Sequence, residues 1–189
     1  WLGRYTERLE QTLRVLRCFM GRLADEAGAE GSPELTALVG LMTQLGYLPG
    51  RPVEGYKRSE LQLHVVQQVY KPDLTGSVRE LLGRIRFIAS TVRDRFSGDT
   101  WRILGRLEVD SRSRPGRLPL TNALTLVHNL VLDLAAFNGM EMENMTRGHG
   151  WRFLDVGRRA ERGMSIVALI RAATVATRRP SLVLEPVLE

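Results

Sequence analysis

Two six-residue segments of the chain share one pattern of chemically active residues. Gly3-Arg4-Tyr5-Thr6-Glu7-Arg8 and Gly157-Arg158-Arg159-Ala160-Glu161-Arg162 both read G-R-x-x-E-R. On a helix the first arginine and the glutamate are i,i+3 and the two arginines are i,i+4, so all three project to one side. Two guanidinium groups around one carboxylate leave a local charge of +1, and the glycine opens a gap where a second backbone or a ligand can approach. If the two helices lie side by side, four arginines and two glutamates face one another. Three chemistries fit such a cluster. It can be a buried ion-pair network that fixes helix register. It can be a cleft for an anionic group, using the bidentate geometry of arginine. It can also be a catalytic centre with glutamate as general base, but that needs burial to raise the carboxyl pKa, and flanking arginines act in the opposite sense. Catalysis is the weakest of the three.

A second polar stretch, Asn144 to Arg152, is rich in glycine and leads directly into the second G-R-x-x-E-R segment. Backbone amides at that helix start can hold an anion, with Arg147, Arg152 and His149 beside them; the alternative is an elaborate N-cap. The candidate anion- or partner-binding residues are therefore Arg4, Glu7, Arg8, Arg147, His149, Arg152, Arg158, Glu161 and Arg162. Glu141 and Glu143 are two apart and share no helical face. His64, His128 and His149 lack a second histidine at i+4 and a glutamate at i−3, so neither Glu-x-x-His nor His-Glu-x-x-His occurs and no metal site is expected. His128, on an apolar helix, reads as a satisfied core residue. No P-loop, dinucleotide fingerprint or serine elbow is present. No cofactor is expected, no catalytic residue is assigned, and the chain alone leans away from being an enzyme.

These residues need helices to position them, and the periodicity supplies helices throughout. Leu2, Tyr5, Leu9, Leu16, Phe19 and Leu23 give an amphipathic helix from Trp1 to about Ala27, stopped by Gly28 and Gly31. Its opposite side carries Arg4, Glu7, Arg8, Gln11, Arg14 and Arg17. Ser32 and Pro33 start a helix to about Leu45, ended by Gly46. Tyr47 to Tyr56 reads as a loop. Ser59 caps Glu60 to Tyr70. Ser77 and Glu80 form a capping box for a helix from Val78 to about Phe96. Ser97 caps a helix from about Gly98 to Asp110, with Trp101, Leu104 and Leu107, read as a short connector, and Ser111 to Leu120 is an ordered loop. Asn122 to Asn138, with only Asp133 charged, is expected to be the central and most buried helix. Met140, Met142 and Met145 follow it, read as core packing. The last long helix runs from near Trp151 to Thr177, with Phe153, Leu154, Val156, Ala160, Met164, Val167, Ile170 and Val175 as its apolar face; Pro180 breaks it, and a further helix begins at Ser181. No stretch alternates with period two. The fold class is all-α: one domain over 1–189, a bundle of about six helices plus the start of a seventh, with the first and the last two long helices as its core.

Composition narrows the functions. The 189 residues are 43% hydrophobic and 25% charged, an ordinary globular balance. The net charge is +6, and 25 of the 27 basic residues are arginines, since only Lys57 and Lys71 are lysines. Such a chain accommodates an acidic partner, but no helix-turn-helix, zinc finger or single-strand platform points to nucleic acid. A single cysteine, Cys18, excludes a disulfide framework and fits a reducing, cytoplasmic setting. No stretch approaches 18 uncharged apolar residues, so no membrane span is expected.

Longer motifs resemble a known family. Trp1-Leu2-Gly3-Arg4-Tyr5-Thr6-Glu7-Arg8-Leu9-Glu10 resembles the opening signature of the bacterial Alpha-E domain, a helical domain named for a Glu-Arg motif. Met142 to Arg147, Gly150 to Asp155, Gly157-Arg158 and Glu161-Arg162 are similar to its second signature, and Arg93-Asp94-Arg95 with Trp101 to its middle region. Members usually start slightly earlier and continue into further helices, so the resemblance implies a domain incomplete at its C-terminus. Their genes stand beside, or are fused to, those of circularly permuted ATP-grasp proteins, which resemble carboxylate–amine ligases, often with a transglutaminase-like protease nearby. The resemblance thus implies a helical partner that binds or orients such a ligase, in cis or in trans, or its acidic peptide substrate or another anionic small molecule. The rival implications are an enzyme acting on an activated carboxylate in peptide or amide bond formation, and a purely structural domain.

Overall fold

The computed structural model describes residues 1–25, 32–50, 52, 55–111 and 119–188, without side-chain detail at 108–111, 186 and 188. The described residues form eight α-helices and no strand: α1 Leu2–Ala24, α2 Pro33–Gln44, α3 Arg58–Tyr70, α4 Val78–Thr91, α5 Gly98–Ser111, α6 Leu120–Asn144, α7 His149–Ala176 and α8 Ser181–Leu188. The all-α class holds, and the count of about six plus a seventh is corrected to eight. The helix expected after Ser97 is present as α5 and counts as a full member of the bundle rather than a connector, because the Ser97 hydroxyl caps Thr100 N–H at 3.2 Å and Leu104 and Leu107 bury themselves against α6. The start expected at Ser181 closes into α8, which buries Val183 and Val187 and packs on α2 and α1.

Local signals explain most boundaries. Ser32 Oγ accepts Leu35 N–H at 3.1 Å with Pro33 in the first turn, and Gly46 adopts φ +81° just past α2. Ser77 Oγ accepts Glu80 N–H at 3.1 Å, but the Glu80 carboxylate reaches Gly76 N–H rather than Ser77 N–H. α4 ends at Thr91 rather than Phe96, and Arg93–Arg95 forms a 3-10 turn. α3 starts one residue before the expected Ser59 cap, with Lys57 at the N-cap and the Glu60 carboxylate on its amide. α1 ends at Ala24, short of the expected Ala27; Gly28 and Gly31 lie outside the described residues, as do 112–118 of the loop before α6.

The helix at the centre is α1. It packs against α7, α6 and α4 and also touches α2, α3 and α8, so it is buried on several sides: Leu9, Leu13, Leu16, Phe19, Met20 and Leu23 are inaccessible to solvent. The expectation that α6 is the most buried helix is corrected. α6 packs on α1 with one row, Leu126, Val127, Leu130, Leu134 and Phe137, and on α5 beside it, leaving Leu132 and His128 exposed. An apolar composition raises the gain from burial, but the number of neighbouring helices decides how much is buried. His128 is therefore no core residue, and Met142 likewise stands in solvent. α6 also runs on through Gly139 to Asn144, because Glu141 continues its inward row. α6 is 25 residues long, and an 18-residue window of it, with a mean hydropathy of 1.4, is long and apolar enough to cross a membrane by length and composition alone; a core helix packed on α1 and α5 passes the same test.

α7 departs most from its periodicity. Of the eight residues expected on its apolar face, only Leu154 is buried; Phe153, Val156, Met164, Val167, Ile170 and Val175 are exposed. The inward face carries instead Leu154, Glu161, Leu169, Ala172 and Ala173. Small residues and a paired carboxylate let α7 lie close to α1, and the larger side chains turn outward.

Candidate functional site

The two G-R-x-x-E-R segments meet where α1 crosses α7. Gly3 makes the approach possible. A Cβ built there would overlap the Leu154 carbonyl oxygen and stand 3.1 Å from Arg158 Cγ. Across the contact, a Cβ on Gly157 would meet Arg4 N at 3.4 Å, ordinary van der Waals separation. Glycine is thus required on α1 and merely accommodated on α7.

Each glutamate is held by the arginines of the other segment. Glu161, on α7, accepts Arg4 Nε at 2.8 Å on one oxygen and Arg8 Nε at 2.6 Å on the other. Glu7, on α1, accepts Arg162 Nε at 2.7 Å and Arg162 Nη2 at 2.8 Å, with Arg158 Nε 3.8 Å away and Gln11 Nε2 at 3.1 Å. The result is a reciprocal clamp of four guanidinium groups and two carboxylates, net +2. The Glu7 side chain is wholly buried and that of Glu161 is 5% exposed, while Arg4, Arg8 and Arg162 keep between 32% and 49% of their surface. The polar side of α1 is therefore interior at Glu7, because the second segment supplies the charges that burial requires. Aromatic rings flank the outer guanidinium groups: Arg4 lies 5.0 Å from the centre of the Trp1 ring, and Arg8 and Arg84 each 5.4 Å from that of Tyr5.

The electrostatics set what this cluster can do. Burial pushes the Glu7 carboxyl up, but hydrogen bonds from Arg162 and Gln11 and the charges of Arg162 and Arg158 outweigh it and hold the pKa below 4.5. A carboxylate so fixed in its ionised form is a poor proton acceptor at neutral pH. Its oxygens are occupied by bidentate arginine, as suits a structural clamp.

A glutamate outside the pattern behaves in the opposite way. Glu141, in the last turn of α6, is 2% exposed, and neither of its carboxylate oxygens has a hydrogen-bond partner among the described residues. Burial pushes its pKa up to about 8, against the smaller opposing charge of Arg158. One turn earlier, Asn138 donates from Nδ2 to Glu10 at 3.2 Å and leaves its buried Oδ1 without a partner. Its spacing from Glu143 does not single Glu141 out. The signal was its register: Leu130, Leu134, Phe137 and Glu141 follow one another at spacings of four, three and four, the row of a buried helix face.

Arg147, His149 and Arg152 do not join the clamp. α7 starts at His149, about 14 Å along the helix axis from Arg158 at 1.5 Å per residue. All three are exposed; Arg147 lies over the Trp151 ring at 5.6 Å, and Gly148 caps the helix without a side-chain bond. Glu7, Glu161 and Arg158 converge, whereas His149 stands apart. Four surface cavities are described, and Glu7, Glu161 and Arg158 line none of them. The largest of these, 720 Å³, lies between the end of α2 and α7, and two of 710 Å³ lie between α1 and α4 and between α2 and the start of α3. Among the described residues, no group of three His, Cys, Asp or Glu side chains could hold a metal ion.

The family model Alpha-E, described as a predicted alpha-helical domain with a conserved ER motif, matches residues 1–189. An uncharacterized protein of Mycobacterium tuberculosis and one of Mycobacterium bovis are each 28% identical over 200 residues, covering 96% of this chain. The chain spans 22% of the length of these relatives. No solved structure matches.

Proposed function

We propose that this chain, which belongs to the Alpha-E family, serves as a non-catalytic helical partner domain that binds or orients an ATP-grasp carboxylate–amine ligase, in cis or in trans, or its acidic peptide substrate. The observation that carries this reading is the outward row of α7. Phe153, Val156, Met164, Val167, Ile170 and Val175 are between 48% and 77% exposed. They stand on a helix whose other side is already locked onto α1 by the Glu–Arg clamp. Contiguous exposed apolar surface on a rigid element marks interaction surfaces. The much greater length of the relatives is compatible with such a domain working beside others in one protein.

The clamp has a structural task in this reading. It holds α7 in register, so that the outer row is presented as a fixed surface. The experiment is calorimetric titration of the chain against the ATP-grasp protein, with Met164→Asp/Val167→Asp as the variant. Both positions face solvent, so the variant folds as the parent does. Saturable binding that the variant abolishes supports docking through α7; an absence of binding, or equal binding by the variant, refutes it.

A second reading, an enzyme acting on an activated carboxylate, draws on Glu141. Burial raises the Glu141 carboxyl to about 8, in the range of a general acid, whereas Glu7 is held below 4.5; but Glu141 lines none of the described cavities, so this reading has less support than docking through α7. Ligation assays with the ATP-grasp protein distinguish the readings. A Glu141→Gln variant that binds but no longer supports turnover favours the enzyme, and unchanged turnover favours the partner domain.

A further inference from the structure

The cavity between α1 and α4 has the make-up of a peptide site. It encloses 710 Å³, within the usual size of ligand-binding clefts, and its walls are mainly apolar. Trp1 and Phe87 flank it, and Phe87, in the middle of the chain, is 71% exposed, too much for a side chain that serves only the core. Gly83 lies on its floor, and a Cβ built there meets nothing within 4 Å, so the space above the α4 backbone is open.

Its polar groups carry a net positive charge. Its lining holds Arg79 and Arg84 against one acid, Glu80. Glu80 is taken up by Arg84, which also donates to the Tyr5 hydroxyl at 2.9 Å. Among the described residues Arg79 has no carboxylate partner, although it lines the cavity and is half-buried. The lining of α4 runs from Arg79 to Thr91, about 18 Å along the helix at 1.5 Å per residue. About five residues of extended chain, at about 3.3 Å each, cover that length.

We propose that the groove between α1 and α4 binds a short acidic peptide in extended conformation, its apolar side chains lying between Trp1 and Phe87 and a carboxylate pairing with Arg79. In an extended peptide alternate side chains point to opposite sides. Apolar residues at every second position therefore fill the groove, while acidic residues between them line its rim. This deepens the acidic-peptide part of the function proposed above and rests on it. The test leaves out the ligase, so failure here leaves docking on α7 standing.

The probe is the fluorescein-labelled pentapeptide Glu-Phe-Glu-Leu-Glu, titrated with the purified chain and followed by fluorescence anisotropy. The expected result is saturable binding that weakens with added salt and falls at least tenfold with Arg79→Ala. Gly83→Trp fills the groove and abolishes binding; because its Cβ enters open space, its circular dichroism and Tm match the parent. A probe with glutamine in place of glutamate binds at least tenfold more weakly. Absence of saturation up to millimolar concentrations overturns the proposal. So does equal binding by a folded Gly83→Trp variant, or equal binding of the glutamine probe.

Discussion

Replacing Glu141 by glutamine is expected to stabilise this protein, and to do so more as the pH rises. Glutamine keeps the shape of the side chain and removes its ability to ionise. In the folded chain the carboxyl is pushed up to about 8 by burial, whereas its value in the unfolded chain is near 4.5. Between these two values the folded state holds a proton that the unfolded state has released. Stability therefore falls as pH rises through this window, the reverse of the behaviour of a carboxylate in a salt bridge. A difference of 3.5 pKa units, 8 less 4.5, corresponds to about 5 kcal/mol in all, of which about 4 kcal/mol falls between pH 5 and pH 9. The carboxyl is almost completely buried, so solvent screening takes little from this figure. The assay is urea unfolding of the parent and Glu141→Gln at one-unit steps from pH 5 to pH 9. The variant should be ahead by about 1 kcal/mol at pH 5 and by about 5 kcal/mol at pH 9. Other titrating groups, Glu7 among them, are common to both proteins and cancel in the difference. A difference that does not change with pH refutes the reasoning, for it would mean that Glu141 ionises as easily in the fold as outside it.

Three further outcomes follow from the clamp. Gly3→Ala drives a methyl group into the Leu154 carbonyl and should cost about 2–3 kcal/mol in denaturant unfolding, while Gly157→Ala, with 3.4 Å of room, should cost less than about 1 kcal/mol. Arg162→Ala strips the bidentate partner from a fully buried carboxylate and should cost about 3 kcal/mol, whereas Arg8→Ala leaves Arg4 on Glu161 and should cost about 1 kcal/mol; equal losses would contradict the unequal pairing. Glu7→Gln should flatten the acid limb of the stability profile. The Glu7 pKa lies below 4.5 in the fold, so its stabilising contribution is present above pH 4.5 and is lost as pH falls through the folded value.

The residues of the clamp were legible before any coordinates, and their pairing was not. The spacing of Arg4, Glu7 and Arg8, and of Arg158, Glu161 and Arg162, places each set on one side of a helix, because side-chain direction on a helix is a local property. That each glutamate takes the arginines of the other segment depends on α1 and α7 lying in contact, 154 positions apart in the chain, and on Gly3 allowing it. The same limit explains α7. Its apolar residues recur at helical spacing, which dictates a helix; periodicity does not say that the buried face is the one with Glu161, Ala172 and Ala173.

The all-helical class, most caps and breaks and the identity of the echoed charges are legible in the sequence, since they follow from short-range geometry and backbone chemistry. Only long-range packing puts α1 rather than α6 at the centre, buries Glu141 without a hydrogen-bond partner among the described residues, and turns the row from Phe153 to Val175 outward. Burial is a property of what surrounds a residue, and neighbours supplied from distant parts of the chain are not written in its local pattern.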